Sequence, residues 1–227
     1  MMHMARHRET EGSQALFRSL QHITAGSTAA GVDLPSPTVQ RSKELRKMKK
    51  FRFQLLHRWL TERFEPCRVA DIGGGKGLFA FLMQQSGWDA TVIDPIYQDL
   101  PHKYKDFTNG RRVKIAPTES VPHINQAFMG IMAQDFDLLV GMHAHGCNAA
   151  IIDAAVEFGC GFVIFPCCVI DEPFYPVIGV DWLECLADYA VRQGHHVMPF
   201  RLNFKGQNIG LAAVENCQLI LNAGSKS

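Results

Sequence analysis

The sequence predicts an α/β protein with a mostly parallel, doubly wound sheet and an antiparallel hairpin at its C-terminal end. Three observations predict it. Strand and helix signals alternate from residue 66 onward, and the strands are continuous apolar runs such as Phe162–Phe165, as in a parallel sheet covered on both faces. A glycine turn, Gly73-Gly74-Gly75-Lys76-Gly77, joins the first strand to a helix; open α/β sheets hold nucleotide-like ligands at such turns. The last two apolar runs, His196–Phe204 and Ile209–Glu215, are joined by Lys205-Gly-Gln-Asn208, a connection short enough only for a hairpin.

The elements follow in order. Residues 1–35 are polar or small, with one weakly amphipathic stretch (Ala15, Leu16, Leu20, Ile23) and a linker-like 25–31; they read as a flexible, peripheral N-terminal arm. Residues 36–227 read as one domain. Ser36-Pro37 is a helix start, and the apolar positions Leu45, Met48, Leu55, Leu56, Trp59 and Leu60 place a basic helix, or two short ones, in 36–65, before Pro66. Val69–Ile72 is a strand, and Gly77–Gln85 begins a helix. Ala90–Ile93 is a strand closed by Asp94-Pro95. Val113–Ala116 is a strand, with a helix over 121–133 behind Ser120. Phe136–Met142 is a strand, 148–158 a helix stopped by Gly159, 162–165 a strand, and 181–193 a helix stopped by Gly194. With the hairpin, that makes seven strands.

Bulk properties exclude several classes. The longest apolar run, Phe162–Ile170, is too short to cross a bilayer. The first residues lack an apolar signal core and carry Glu9 and Glu11, so a cytoplasmic protein with no membrane partner is expected. The net charge of +1 leaves any nucleic-acid affinity to a local patch. The seven cysteines are odd in number and show no CxxC spacing; reduced thiols are expected rather than a disulfide framework.

The glycine turn admits three ligands. A phosphate loop of the GxxxxGK[ST] kind fails, because Gly77 and Leu78 follow Lys76 with no hydroxyl for magnesium. A dinucleotide loop fits Gly75-Lys-Gly77-Leu-Phe-Ala80. The third pattern is acid-x-Gly-x-Gly-x-Gly, met by Asp71, Gly73, Gly75 and Gly77. On these residues the chain, over roughly 45–217, resembles the class I S-adenosylmethionine-dependent methyltransferases, which are Rossmann-like. The resemblance implies S-adenosyl-L-methionine as cofactor, its methionine end wrapped by the loop and oriented with the help of Asp71. Asp94, at the end of the second strand, can accept hydrogen bonds from both ribose hydroxyls, which suits NAD equally. Asp71 separates the two: a negative charge there suits an ammonium and a sulfonium and repels a pyrophosphate.

Ligands of open sheets lie at the carboxyl ends of the strands. The third strand would end at Pro117-Thr118-Glu119, which the resemblance places beside the adenine; Glu119 either accepts the adenine amino group or belongs to the turn before the helix capped by Ser120. The fourth ends in Gly141-Met-His143-Ala-His145-Gly-Cys147, where methyltransferases face the acceptor. His143 is read as the catalytic base, with His145 as its relay. The fifth ends in Pro166-Cys167-Cys168, read as lining the acceptor pocket. His143, His145 and Cys147 follow no zinc spacing, so structural thiols are expected and no metal is assigned. A histidine-cysteine segment after strand four with Pro-Cys-Cys after strand five resembles the methyltransferase-like branch that includes eukaryotic tRNA 2′-O-methyltransferases. That branch has His-x-Cys-Gly; here His145 stands where the cysteine would be, and the cysteine-rich zinc segments of those enzymes are missing.

Residues 41–58 hold Arg41, Lys43, Arg46, Lys47, Lys49, Lys50, Arg52 and Arg58 against Glu44, a local charge of +7. Such a stripe is a phosphate-binding candidate, with Phe51, Phe53 and Trp59 able to stack bases. The other reading is a solvated helix face whose aromatics belong to the core. Lys47 and Lys50 are taken as substrate-binding. The expected function is S-adenosylmethionine-dependent methyl transfer, RNA being favoured slightly over a protein or small-molecule acceptor. The alternatives are a non-catalytic cofactor- or RNA-binding subunit and an NAD-dependent oxidoreductase.

Overall fold

The computed structural model describes residues 11–26, 48–214 and 216–220. Five parallel strands form most of a seven-stranded sheet: β1 (Arg68–Ile72), β2 (Asp89–Ile93), β5 (His123–Ile124), β6 (Leu138–Met142) and β7 (Gly161–Phe165). The hairpin of β8 (Met198–Arg201) and β9 (Ile209–Ala213) closes it, β9 running antiparallel to both β7 and β8. The order is β5-β2-β1-β6-β7-β9-β8. The switch point therefore lies between β1 and β6, where a doubly wound, Rossmann-like sheet opens its ligand crevice.

Alternation along β1 assigns the two faces. Val69 faces α2 (Arg52–Thr61) and α3 (Leu78–Gln84), in a layer with Leu56, Trp59, Phe79 and Met83. Ala70 and Ile72 face α4 (Asn148–Phe158) and α5 (Trp182–Arg192), with Ile151, Ile152 and Leu186. Every residue of β6, β7 and β9 is buried, as expected of strands covered on both sides. Gly159 ends α4 at φ 66°, the left-handed cap that glycine favours. Asp181 and Glu184 form a capping box at the start of α5.

The structure differs from the sequence reading in three places. The sequence places the third strand at Val113–Ala116; the strand there, Arg112–Lys114 (β4), instead pairs antiparallel with Lys103–Lys105 (β3) in a separate small sheet. The third position belongs to β5, which falls where a helix over 121–133 was expected. The cause is Val121-Pro122: a β-branched residue before proline avoids the α region. The chain stays extended, and Val92 N donates to Pro122 O at 2.9 Å. After it only a 3-10 segment forms, Gly130–Asp135.

The N-terminal stretch read as a flexible arm contains α1 (Glu11–Thr24), whose Leu20 is fully buried in the α5 layer. The basic segment 36–65 is described from Met48 only: one 3-10 turn, Lys49–Phe51, leads into α2. Its aromatics divide. Phe51 and Trp59 are buried, Trp59 stacking on Phe200 with ring centroids 4.2 Å apart. Phe53 is half-buried under the Arg52 guanidinium. The core reading therefore holds for Phe51 and Trp59. Among the described residues no helix is long and apolar enough to cross a membrane.

Candidate cofactor and acceptor site

The glycine loop is bonded inward. Gly73 N donates to Ile93 O at 2.8 Å and Gly77 N to Gly74 O at 3.0 Å. Gly75 N donates to Asp94 Oδ2 at 3.0 Å, and Ala80 N, in the first turn of α3, to Asp71 Oδ2 at 3.3 Å. Gly73, Gly75 and Gly77 all adopt positive φ, which explains their identity. Gly74 is constrained differently: a Cβ there would lie 2.5 Å from Asp71 Oδ2. The spacing pattern passes over Gly74, yet this glycine meets the buried acid most closely.

Asp71 is 1% exposed. It shares the inner face of β1 with Val69, so its carboxylate lies under the loop against α3. Burial pushes its carboxyl up to about 7, against a pull downward from Ala80 N–H; the charge of Asp94 adds to the rise. Asp94 bridges Gly75 N and, through Oδ1, Ile96 N at 2.9 Å. Each carboxylate oxygen has room for a second donor, so Asp94 can still receive ribose hydroxyls.

A cavity of about 250 Å³ opens beside the loop, lined by Gly75, Lys76, Gly77, Tyr97, Glu119 and His123 among others. Asp71, Asp94 and His143 are not on its wall. Glu119 reaches this cavity, but it precedes β5 rather than ending the third strand. The residue at the carboxyl end of β5 is Asn125, beside Asp94, whose N–H donates to Ile124 O. Sequence reasoning missed Asn125 because it placed the third strand ten residues too early.

The candidate acceptor edge is built by the loops after β6 and β7. His143 takes a left-handed φ of 60°, strained for a residue with a Cβ. Its ring is half-buried, edge-on to Phe204 at 6.4 Å, and neither ring nitrogen has a hydrogen-bond partner among the described residues. Burial pushes its pKa down to about 4, helped by Lys49, Arg52 and His145. A neutral imidazole at pH 7 offers one donor and one acceptor, which suits orienting a hydroxyl or amine better than holding its proton.

His145, Cys167 and Cys168 come together. His145 Nδ1 lies 2.9 Å from Cys168 Sγ, and its Nε2 lies 3.8 Å from Cys167 Sγ. Burial pushes the Cys167 thiol up to about 11, with Cys168 adding to the rise. Cys147 turns away, donating to His145 O at 3.1 Å.

Glu172, which the sequence reading did not single out, ties the two loops. It is buried, and it accepts from Asn148 N (3.0 Å), Asn148 Nδ2 (2.6 Å) and Ala149 N (3.1 Å), capping α4 from 24 residues away. Nothing in the sequence marks a cap so distant.

Of the basic residues, Lys49 faces this edge. Its side chain lies 4.0 Å from where a Cβ on Gly206 would sit, and with Arg52 it acts on the charge of His143. The Arg52 Nε is buried with no partner among the described residues. Lys50 lies over the Phe51 ring instead, at 5.3 Å. Lys47 lies outside the described residues.

No family model matches the sequence, and no curated protein matches it. Some solved structures are similar at low identity. Monomeric WbdD is similar at 15% identity and a TM-score of 0.40, over 74% of this chain and 42% of WbdD. CalO1, a methyltransferase in calicheamicin biosynthesis solved with S-adenosylhomocysteine bound, is 12% identical with a TM-score of 0.38, over 72% of this chain and 52% of CalO1. The 1,6-didemethyltoxoflavin-N1-methyltransferase of Burkholderia thailandensis, solved with 1,6-didemethyltoxoflavin and S-adenosylhomocysteine, is 14% identical with a TM-score of 0.37, over 90% of this chain and 89% of that enzyme. This chain spans about half or less of WbdD and CalO1. The likeness in each case is one of fold.

Proposed function

We propose that the chain is an S-adenosyl-L-methionine-dependent methyltransferase. One observation carries the reading: four backbone donors of the glycine loop and the following helical turn already bond within the protein, two of them to carboxylates. A dinucleotide loop keeps such N–H groups for its pyrophosphate. Here a pyrophosphate would have to displace Asp94 from Gly75 and face the charge of Asp71. A ligand bearing an ammonium and a sulfonium meets those carboxylates favourably.

The residues fit that cofactor. Asp94 retains acceptor capacity for the ribose hydroxyls. Gly75, at φ 55°, has only the flexible end of Gln98 near its missing Cβ, at 3.7 Å. Asp71, whose carboxyl is pushed up to about 7 by burial, supplies negative charge beneath the loop once ionised, without occupying the crevice. The bound cofactor would supply an electrophilic methyl group. The chain's own part is orientation: His143, beside Cys167 and Phe204, would hold the acceptor's hydroxyl or amine by a hydrogen bond. Lys49 and Arg52 favour an anionic acceptor, and RNA is the class this reading prefers.

Calorimetry with S-adenosylmethionine, S-adenosylhomocysteine and NAD tests the cofactor. Binding of the first two without NAD is expected; binding of NAD alone overturns the reading. Tritiated methyl transfer into RNA, protein and small-molecule pools tests the acceptor. Label in protein or small molecules refutes the RNA preference. Cofactor binding without transfer into any pool points to a non-catalytic subunit.

A further inference from the structure

The cluster at the acceptor edge has a chemistry that methyl transfer does not require. We propose that His145, Cys167 and Cys168 bind a thiophilic divalent cation, zinc first among them, as three protein ligands with the fourth position open. The site goes beyond the proposed function and stands without it, since metal content is read with no methyl transfer.

The fold brings the ligands together by register. Met142 and Phe165, the last residues of β6 and β7, are direct partners across the sheet. His145 and Cys168 each lie three residues beyond them, so adjacent strand ends deliver both to one place. Gly146, at φ 64°, lets its loop pack on Asp171, where a Cβ would come within 2.8 Å of the Asp171 Cβ. The Glu172 cap fixes both loops. Outside the ligand set, Gln207 Nε2 holds Cys167 O at 3.0 Å, the kind of supporting bond that orients metal ligands.

The distances match the chemistry. Tetrahedral zinc, with Zn–S near 2.3 Å, sets two sulfurs about 3.8 Å apart; Cys167 Sγ and Cys168 Sγ are 3.8 Å apart. A histidine nitrogen on the same ion stands about 3.5 Å from each sulfur. His145 Nδ1 lies 2.9 Å from Cys168 Sγ and Nε2 lies 3.8 Å from Cys167 Sγ, so a small turn of the ring or of the thiols brings one nitrogen to that distance from both sulfurs. One ligand atom from each residue lies within 4.8 Å of the others. Neither Cys167 nor Cys168 is in a disulfide, so both sulfurs are open to a metal. Two sulfurs and an imidazole select zinc or another soft ion over magnesium or calcium. On binding, two thiol protons leave to solvent, and the two thiolates balance the charge of the ion. Three protein ligands with an open fourth position are the arrangement of catalytic rather than structural zinc sites, and here that position opens at the acceptor edge.

Elemental analysis of the full chain, purified without chelator and then titrated with Zn2+ and Co2+, tests the proposal. About one equivalent per chain is expected, with a sulfur-to-cobalt charge-transfer band on Co2+ addition. Cys167→Ser, Cys168→Ser and His145→Gln should each lower zinc affinity at least about tenfold, while Cys185→Ser, on α5, leaves it unchanged. Wild-type protein that takes up no Zn2+ and gives no charge-transfer band overturns the proposal, as does zinc retained at full affinity by both cysteine variants. If a variant does not fold, the intensity of the wild-type cobalt band decides: two-thiolate intensity supports the site, and absence of the band refutes it.

Discussion

Replacing Asp71 by Asn should stabilise the protein at neutral pH while weakening its hold on a cationic cofactor. The carboxyl titrates near 7 in the fold, chiefly through burial, against 3.8 for an unperturbed aspartate. The fold therefore prefers the protonated form. Its contribution to stability is fully present below about pH 3.8, declines as pH rises towards 7, and is flat above. Ionised at pH 8, the buried group costs the fold about 4 kcal/mol. Asparagine keeps an acceptor for Ala80 N–H and removes the charge, but its amide N–H groups need partners under the loop, a cost of about 1–3 kcal/mol. A net gain of about 1–3 kcal/mol at pH 8 is the difference between these two magnitudes. Urea unfolding of both proteins from pH 4.5 to 8 should show the gap widen with pH. A gap that stays constant across that window would refute the reasoning, whatever its sign. The variant should also bind S-adenosylmethionine more weakly by calorimetry at pH 8, a trade of function for stability.

Gly74→Ala should lower stability by about 1–3 kcal/mol, since its Cβ would meet Asp71 Oδ2 at 2.5 Å; an unchanged melting temperature would show that the loop has slack. Glu172→Ala strips the cap from α4 and should cost about 2 kcal/mol in urea unfolding, and a loss under about 0.5 kcal/mol would mean that water replaces the carboxylate. Lys49→Ala with Arg52→Ala should weaken RNA binding and reduce its salt slope by about one per cation removed. Cofactor affinity should not change, and an unaltered salt slope would remove these residues from any nucleic-acid interface.

Most of the sheet was legible because its strands are long apolar runs whose burial needs no partner information. Val69–Ile72, Phe162–Phe165 and the hairpin are of this kind, and so are helices with strong stops such as Gly159 and Gly194. The β2–β5 connection was not legible. Val113 and Ile115 alternate like a sheet strand, and Ser120 looks like a cap, but Pro122 forces Val121 to extend two residues later. A two-residue strand such as His123–Ile124 carries almost no periodic signal. At the site, Asp71 and Asp94 were visible from their places around the glycines. The meeting of His145 with Cys167 and Cys168 was not, because it depends on strand register across 22 residues.

The same register explains how the two halves of the crevice are joined. A Cβ on Gly73 would stand 3.0 Å from that of Ala144, so the loop after β1 touches the loop after β6 at the switch point. On one side of that contact lie the carboxylates, Asp71 and Asp94, suited to a positive ligand. On the other lie Lys49, Arg52 and a neutral His143, suited to a negative one. A small residue on each strand end keeps the loops in contact without filling the crevice. Under the proposed function, opposite fields on its two sides would let one surface bind a cationic donor and an anionic acceptor together. A loop of glycines alone would distinguish neither.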